Sequence, residues 1–236
     1  YILAFIFFHF LGRRNGWSNK LIGCLILTAG LSNSSFLGYP IIEALFGKKG
    51  LETAVLVDQP GTFVVVSTLG VFTAAFYSKG SPDALGIFKK IILFPPFIMF
   101  VVACLMNIFQ VDLNENLQSA LLKIGSLVTP LALLSVGLQL TFDRKSQHWK
   151  FLRLGLFFKL LLIPFVIFVL YVFIFNQHSE VIKITIMETA MAPMITGAIL
   201  ASTYGLKPKL SSMMIGFGIP ISFITLAFWY FVVSFI

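Results

Sequence analysis

Long apolar runs follow one another along the whole chain, with only short polar turns between them. This pattern constrains the fold more than any single motif. A bilayer core takes about 20 apolar residues as a helix. The runs therefore give eight candidate transmembrane helices, at roughly 1–12, 20–46, 51–77, 84–109, 113–140, 151–175, 179–204 and 209–236. Only 11% of the residues are charged, against about 25% in soluble domains. An all-α polytopic membrane protein is expected, with residues 1–236 forming one transmembrane domain. The chain opens at Tyr1 directly into an apolar run, which is no signal-peptide pattern. It reads as a chain whose beginning has been lost.

The net charge of +8 would suggest nucleic acid in a soluble protein, but here its distribution is topological. Arg13, Arg14, Lys20, Lys79, Lys89, Lys90, Arg144, Lys145, Lys150, Arg153, Lys207 and Lys209 fall in the odd-numbered loops, and only Lys48, Lys49 and Lys183 in the even ones. Basic loops stay in the cytoplasm, so both visible ends are expected outside and no nucleic-acid partner is needed. Lys159 is expected to snorkel to the cytoplasmic headgroups, and Lys123 to do the same on the outer side.

Two stretches resemble each other. Phe46-Gly47 and Tyr204-Gly205 each end a helix, and a short basic turn then leads to Leu51 or Leu210. The first turn is expected outside and the second inside, so the copies would be inverted. Inverted repeats with interrupted helices point to a secondary transporter. Residues 1–77 would be the remainder of the first repeat and 84–236 the second, within a parent of ten helices arranged five plus five.

The interruptions are "NSSFLGYP", Asn33 to Pro40, and "METAMAPMITG", Met187 to Gly197. Pro40 and Pro193 lack an N–H, and Gly38 and Gly197 would loosen the turns further. Freed backbone groups are costly in hydrocarbon unless they line a cavity or meet protein partners. Two unwound segments crossing each other would satisfy this. Their half-helix N-termini would offer N–H groups to an anion, and released carbonyls with Asn33, Ser34 and Thr189 would hold a small cation. The simpler alternative is that each proline only kinks its helix. No fixed cation is expected near the breaks.

Glu188 and Asp58 sit inside apolar spans, where a carboxylate is costly and functional by default. Glu188 is expected to bind a proton or a cation such as sodium. Asp58 and Gln59 would line the substrate cavity with Asn33, Ser34, Ser35, Gly38, Pro40 and Pro193; a structural hydrogen bond is the alternative for Asp58. Cys24 and Cys104 lack any metal or disulfide pattern and read as packing residues. No catalytic motif or cofactor signature appears, so no enzyme is expected.

"GLSNSSFLGYPIIEALFG", "VDQPG", "LVTPLALLSVGLQL" and "ETAMAPM…ASTYGL" resemble the auxin efflux carrier family, which includes bacterial malonate and malate carriers. The resemblance covers nearly the whole chain, from the third family helix to the tenth. It implies a ten-helix inverted-repeat fold with two crossing broken helices, similar to that of the bile acid–sodium symporters. It also implies organic-anion substrates and an elevator-like movement of a crossover-bearing domain against a scaffold. Asn33 and Pro40 would belong to the first crossover and Pro193 to the second; Asn33, Ser34 and Glu188 match, more distantly, the sodium ligands of those symporters. The short loop at 78–83 points to a bacterial-type member rather than an auxin exporter.

The expected function is therefore ion-coupled transport of a small mono- or dicarboxylate across the cell membrane. A receptor that binds the same ligand without moving it is the alternative, and a channel is disfavoured by the lack of a continuous polar helix face. The oligomeric state is left open, a homodimer included.

Overall fold

The computed structural model describes residues 1–79, 89, 92, 93, 95–139 and 148–236. Among them the regular structure is helical: α1 (Ile2–Arg14), α2 (Asn19–Ala29), α3 (Tyr39–Val57), α4 (Val71–Lys79), α5 (Pro95–Ile108), α6 (Glu115–Gln139), α7 (Trp149–Ile174), α8 (Glu180–Ala190), α9 (Ile195–Thr203) and α10 (Pro208–Val233). Beyond residue 79, the loop expected at 78–83 lies outside the described residues. So do Lys90, Arg144 and Lys145 of the charge distribution, and the opening residues of the 84–109 span.

α2 is apolar on every face, and such a helix belongs inside. Every residue from Leu21 to Ala29 is buried, with α1, α4, α7, α9 and α10 packed around it. The Ser18 hydroxyl accepts the Leu21 N–H at 3.4 Å and so caps the helix. On the outside, Phe173, Ile224 and Phe235 are largely exposed, as side chains facing lipid would be. Cys24 is buried, as expected of a packing residue, but Cys104 is exposed on α5.

Among the described residues, three helical stretches are long and apolar enough to cross a membrane: Ser34–Ser78, Trp149–Ile174 and Pro208–Val233. At 1.5 Å per residue, a helix of 26 residues spans about 39 Å, more than the roughly 30 Å hydrocarbon core. α2, α8 and α9 have 11, 11 and 9 residues, about half a crossing each. Each expected broken span is thus two half-helices.

The breaks are not quite where the prolines suggested. The first lies at 30–33, ahead of the expected Asn33 to Pro40. Ser34–Gly38 is a wide π-helical turn, and Pro40 follows directly in α3, inside the continuous helical stretch that this turn opens. The second lies at 191–194, inside the expected segment. A further kink falls at Gly47, whose φ of 70° and ψ of −170° are open to glycine alone. It separates the spans expected at 20–46 and 51–77 without an intervening loop. Gly205, in the other aromatic–glycine pair, also has a positive φ, 67°.

The prolines inside longer helices are accommodated by wide turns and borrowed donors. Asp58–Phe63 is a π turn around Pro60, and a second π turn covers Phe158–Leu162, just ahead of Pro164. A proline at 164 cannot bond the carbonyl of Leu160, four residues back. The Trp229 indole N–H of α10 donates to that carbonyl at 2.9 Å. One proline in α7 thereby fixes the partner helix at a chosen height.

Candidate functional site

The two breaks meet. Ser32 and Pro193 form an isolated antiparallel bridge: the Asn33 N–H donates to the Ala192 carbonyl at 2.9 Å, and the Met194 N–H to the Leu31 carbonyl at 3.1 Å. Ser32 and Pro193 are the pair that exchanges no hydrogen bond with each other. Proline therefore fits there without an orphaned donor opposite it. The two unwound segments answer each other's backbone needs, which is how irregular chain survives at membrane depth.

From this bridge the half-helices leave in pairs. α2 and α8 end at it; the turn at Ser34 and α9 begin at it. Neither Asn33 nor Met194, at the heads of the outgoing halves, caps its helix with a side-chain hydrogen bond. Two helix N-termini thus lie side by side with their first N–H groups uncapped by side chains.

Glu188, in the last turn of α8, is 2% exposed. Both of its carboxylate oxygens are buried without a hydrogen-bond partner, and so is Asn33 Oδ1. Unpartnered buried acceptors are rare because each costs desolvation free energy with nothing in return. Gly38 lies against the Glu188 carboxylate: a Cβ there would come within 2.7 Å of both oxygens. At Gly197 a Cβ would come within 2.6 Å of the Leu27 carbonyl oxygen. Both glycines lie in helical turns and serve by their small size, not by loosening the backbone as expected.

Asp58, also an acid inside an apolar span, has a different environment. It is equally buried, but its Oδ1 accepts from the Ser34 hydroxyl. Its Oδ2 accepts from the Tyr39 hydroxyl at 2.8 Å and from Gln59 Nε2 at 3.3 Å. The acid ties the first π turn to the start and end of α3. Ser35 is half-buried on that turn, Pro193 is buried, and Gln59 and Pro40 are exposed.

Lys159 is the residue that sequence reasoning misplaced. It is 2% exposed, near the middle of α7, and does not snorkel. Its Nζ donates to Ser32 Oγ at 2.5 Å and to the Thr189 carbonyl at 2.8 Å. A fixed cation therefore stands at the crossover, contrary to expectation. The signal was available: a lysine deep in a 26-residue apolar helix is as costly as Glu188, and calls for a function on the same grounds.

Beside the crossover lies a cavity of about 260 Å³, with Tyr1, Ser32, Thr62, Lys159 and Thr189 among its polar lining and Leu31 and Ile163 among the apolar residues. Of the residues expected to bind substrate or ion, Thr189 lines it. Asn33, Ser34, Ser35, Gly38, Pro40, Asp58, Gln59, Glu188 and Pro193 do not. Among the described residues, no group of three His, Cys, Asp or Glu side chains could hold a metal ion.

Residues 84–230 match the membrane transport protein family. The chain is 28% identical over 222 residues to an uncharacterised transporter of Methanocaldococcus jannaschii, covering 89% of this chain and 68% of that one. It is 29% identical over 221 residues to an uncharacterised transporter of Methanothermobacter thermautotrophicus, covering 92% and 70%. The family match takes in the second break, and the two relatives extend over most of the rest. Apolar helices of membrane-spanning length, halved helices joined at a bridge and this run of similarity agree: the chain is a multi-pass membrane protein of the membrane transport protein family, the auxin efflux carriers.

Proposed function

We propose that the protein is a secondary transporter of a small organic anion, a mono- or dicarboxylate such as malate or malonate, across the cytoplasmic membrane. The observation that carries this reading is the pairing of the two helix breaks around a buried, unpartnered Glu188. Uncapped half-helix N-termini attract an anion. Glu188 and Asn33 Oδ1 are acceptors without donors, suited to a proton or a sodium ion, with Thr189 and Ser34 beside them. Coupling then follows from charge: the anion enters more readily once Glu188 is neutralised.

In this reading the chain carries the greater part of a ten-helix, inverted-repeat fold, with both visible ends outside. The positive φ shared by Gly47 and Gly205 supports equivalence of the two aromatic–glycine turns. The crossover and the half-helices around it would move as one body, in an elevator-like exchange of access.

The experiment is uptake of labelled malate, malonate and monocarboxylates by proteoliposomes, under an inward sodium gradient, a proton gradient or neither. Saturable uptake driven by one gradient is expected, and the Glu188→Gln variant should fold yet lose the gradient dependence. Unchanged ion dependence in that variant would remove Glu188 from the coupling role. Ligand binding without flux in sealed vesicles would make the protein a receptor instead.

A further inference from the structure

The buried charges of the described residues are Asp58, Lys159 and Glu188. The two acids figure in the reading above; the lysine does not. Its surroundings are those of a bound metal cation. The Thr189 carbonyl that accepts from Nζ belongs to the last turn of α8, where helix carbonyls lack intrahelical partners and the dipole is negative. Ser32 Oγ, the other acceptor, sits on the opposite strand of the bridge. A single ammonium on α7 therefore holds one group from each broken helix.

We propose that Lys159 is a positioning residue that acts as the resident cation of the crossover, tying both broken helices to α7 in the way a metal ion would otherwise tie them. An ammonium is a compact point charge with three donors. Two are engaged by Ser32 and Thr189, and the side chain lines the 260 Å³ cavity. The proposal deepens the transporter reading, on which its consequence for coupling rests. With both acids ionised, the three buried side chains carry one net negative charge. One proton or one sodium ion balances it before substrate binds, and any further coupling cation is matched by the charge of the substrate alone. α7 moves with the crossover, because its lysine is bonded to both halves.

The test uses the full-length protein purified in detergent. Thermal unfolding is followed in sodium chloride and in choline chloride for the wild type, Glu188→Gln, Lys159→Met and Lys159→Ala. Glu188→Gln, with Lys159 intact and the proposed sodium-binding carboxylate removed, is the reference and should unfold at the same temperature in both salts. Loss of two charge-assisted hydrogen bonds should lower the midpoint of both Lys159 variants by about 5 °C or more. In Lys159→Ala, which leaves room for a small cation, added sodium or ethylammonium should restore part of the loss; neither should raise the wild type as far. That rescue separates a cation's role from simple packing.

A Glu188→Gln protein that loses stability when choline replaces sodium would overturn the proposal, since a metal at the crossover would then be doing the work. So would Lys159 variants that unfold at the wild-type temperature, or a Lys159→Ala variant indifferent to every cation. Should the Lys159 variants fail to fold, the salt exchange on Glu188→Gln decides alone. Carboxylate flux by the wild type in liposomes is measured separately. Absence of flux would refute the transporter reading and leave the role of Lys159 standing.

Discussion

Alanine at position 38 would set a methyl group against the one buried carboxylate that has no partner. Built on the existing backbone, the new Cβ lies 2.7 Å from each Glu188 oxygen and 3.0 Å from its carboxyl carbon, where ordinary contact begins near 3.4 Å. The carboxylate must retreat by about 0.7 Å. Two effects on stability oppose each other. Gly38 has ordinary helical dihedrals, φ −64° and ψ −51°, so alanine should gain about 0.5–1 kcal/mol in helix propensity and unfolded-state entropy. Overpacking a buried site costs about 1–3 kcal/mol. The net loss for Gly38→Ala is therefore small, about 0–2 kcal/mol. Function should suffer far more, because a shift of that size in a reacting or binding group can cost on the order of 100-fold. The assay is gradient-driven carboxylate uptake in liposomes, paired with thermal unfolding of the same preparation. A near-wild-type melting temperature with uptake reduced at least tenfold is expected. Wild-type uptake kinetics in a well-folded Gly38→Ala protein would refute the placement of Glu188 in the coupling site.

Other substitutions read other parts of the fold. Trp229→Phe removes the indole donor to the Leu160 carbonyl, whose usual helical partner is lost at Pro164. It should cost about 1–3 kcal/mol, seen as a drop in melting temperature with the carboxylate-induced shift preserved. Gly47→Ala forces a side chain into a φ of 70° with an extended ψ and should destabilise by about 1–3 kcal/mol. Gly205→Ala, at φ 67°, should do so less if its ψ is left-handed helical, where non-glycine residues are better tolerated. Both are measured by thermal unfolding in one detergent.

The helical membrane character and the two interruptions were legible because hydrocarbon penalises polarity strongly, and "LSNSSFLGYP" and "AMAPMITG" stand out against apolar flanks. Their positions were less legible. Pro40 looked like a helix breaker but lies in a continuous helical stretch just behind the wide turn at Ser34–Gly38, and nothing local distinguishes the two uses. The chain opens at 30–33 instead, where the stabilising partner is the Ala192 carbonyl from the far end of the sequence. Lys159 was misread for a related reason. Arg153 stands nearer the expected cytoplasmic end of α7, and six residues of helix put Lys159 about 9 Å deeper, beside carbonyls that only the fold brings there.

Asp58 and Glu188 show how far a shared sequence signal can diverge. Both are acids in apolar spans and both are buried, yet one has its oxygens engaged and the other has none engaged. Their amide substitutions should part accordingly. Asp58→Asn turns one acceptor oxygen into a donor facing the Ser34 or Tyr39 hydroxyl, and should cost about 1–3 kcal/mol, because a satisfied buried network is disrupted. Glu188→Gln replaces an unpartnered buried carboxylate with a neutral group of the same shape, which removes a desolvated charge. Its melting temperature should equal or exceed the wild type's, while ion-driven uptake disappears. Tyr39→Phe serves as the control for the first acid. It removes one of the three donors to Asp58 and should lower the melting temperature by less than Asp58→Asn does. If Glu188→Gln proves the more damaging to stability, Glu188 is a structural acid with a partner supplied by lipid, water or another chain, and the coupling role passes to Asp58.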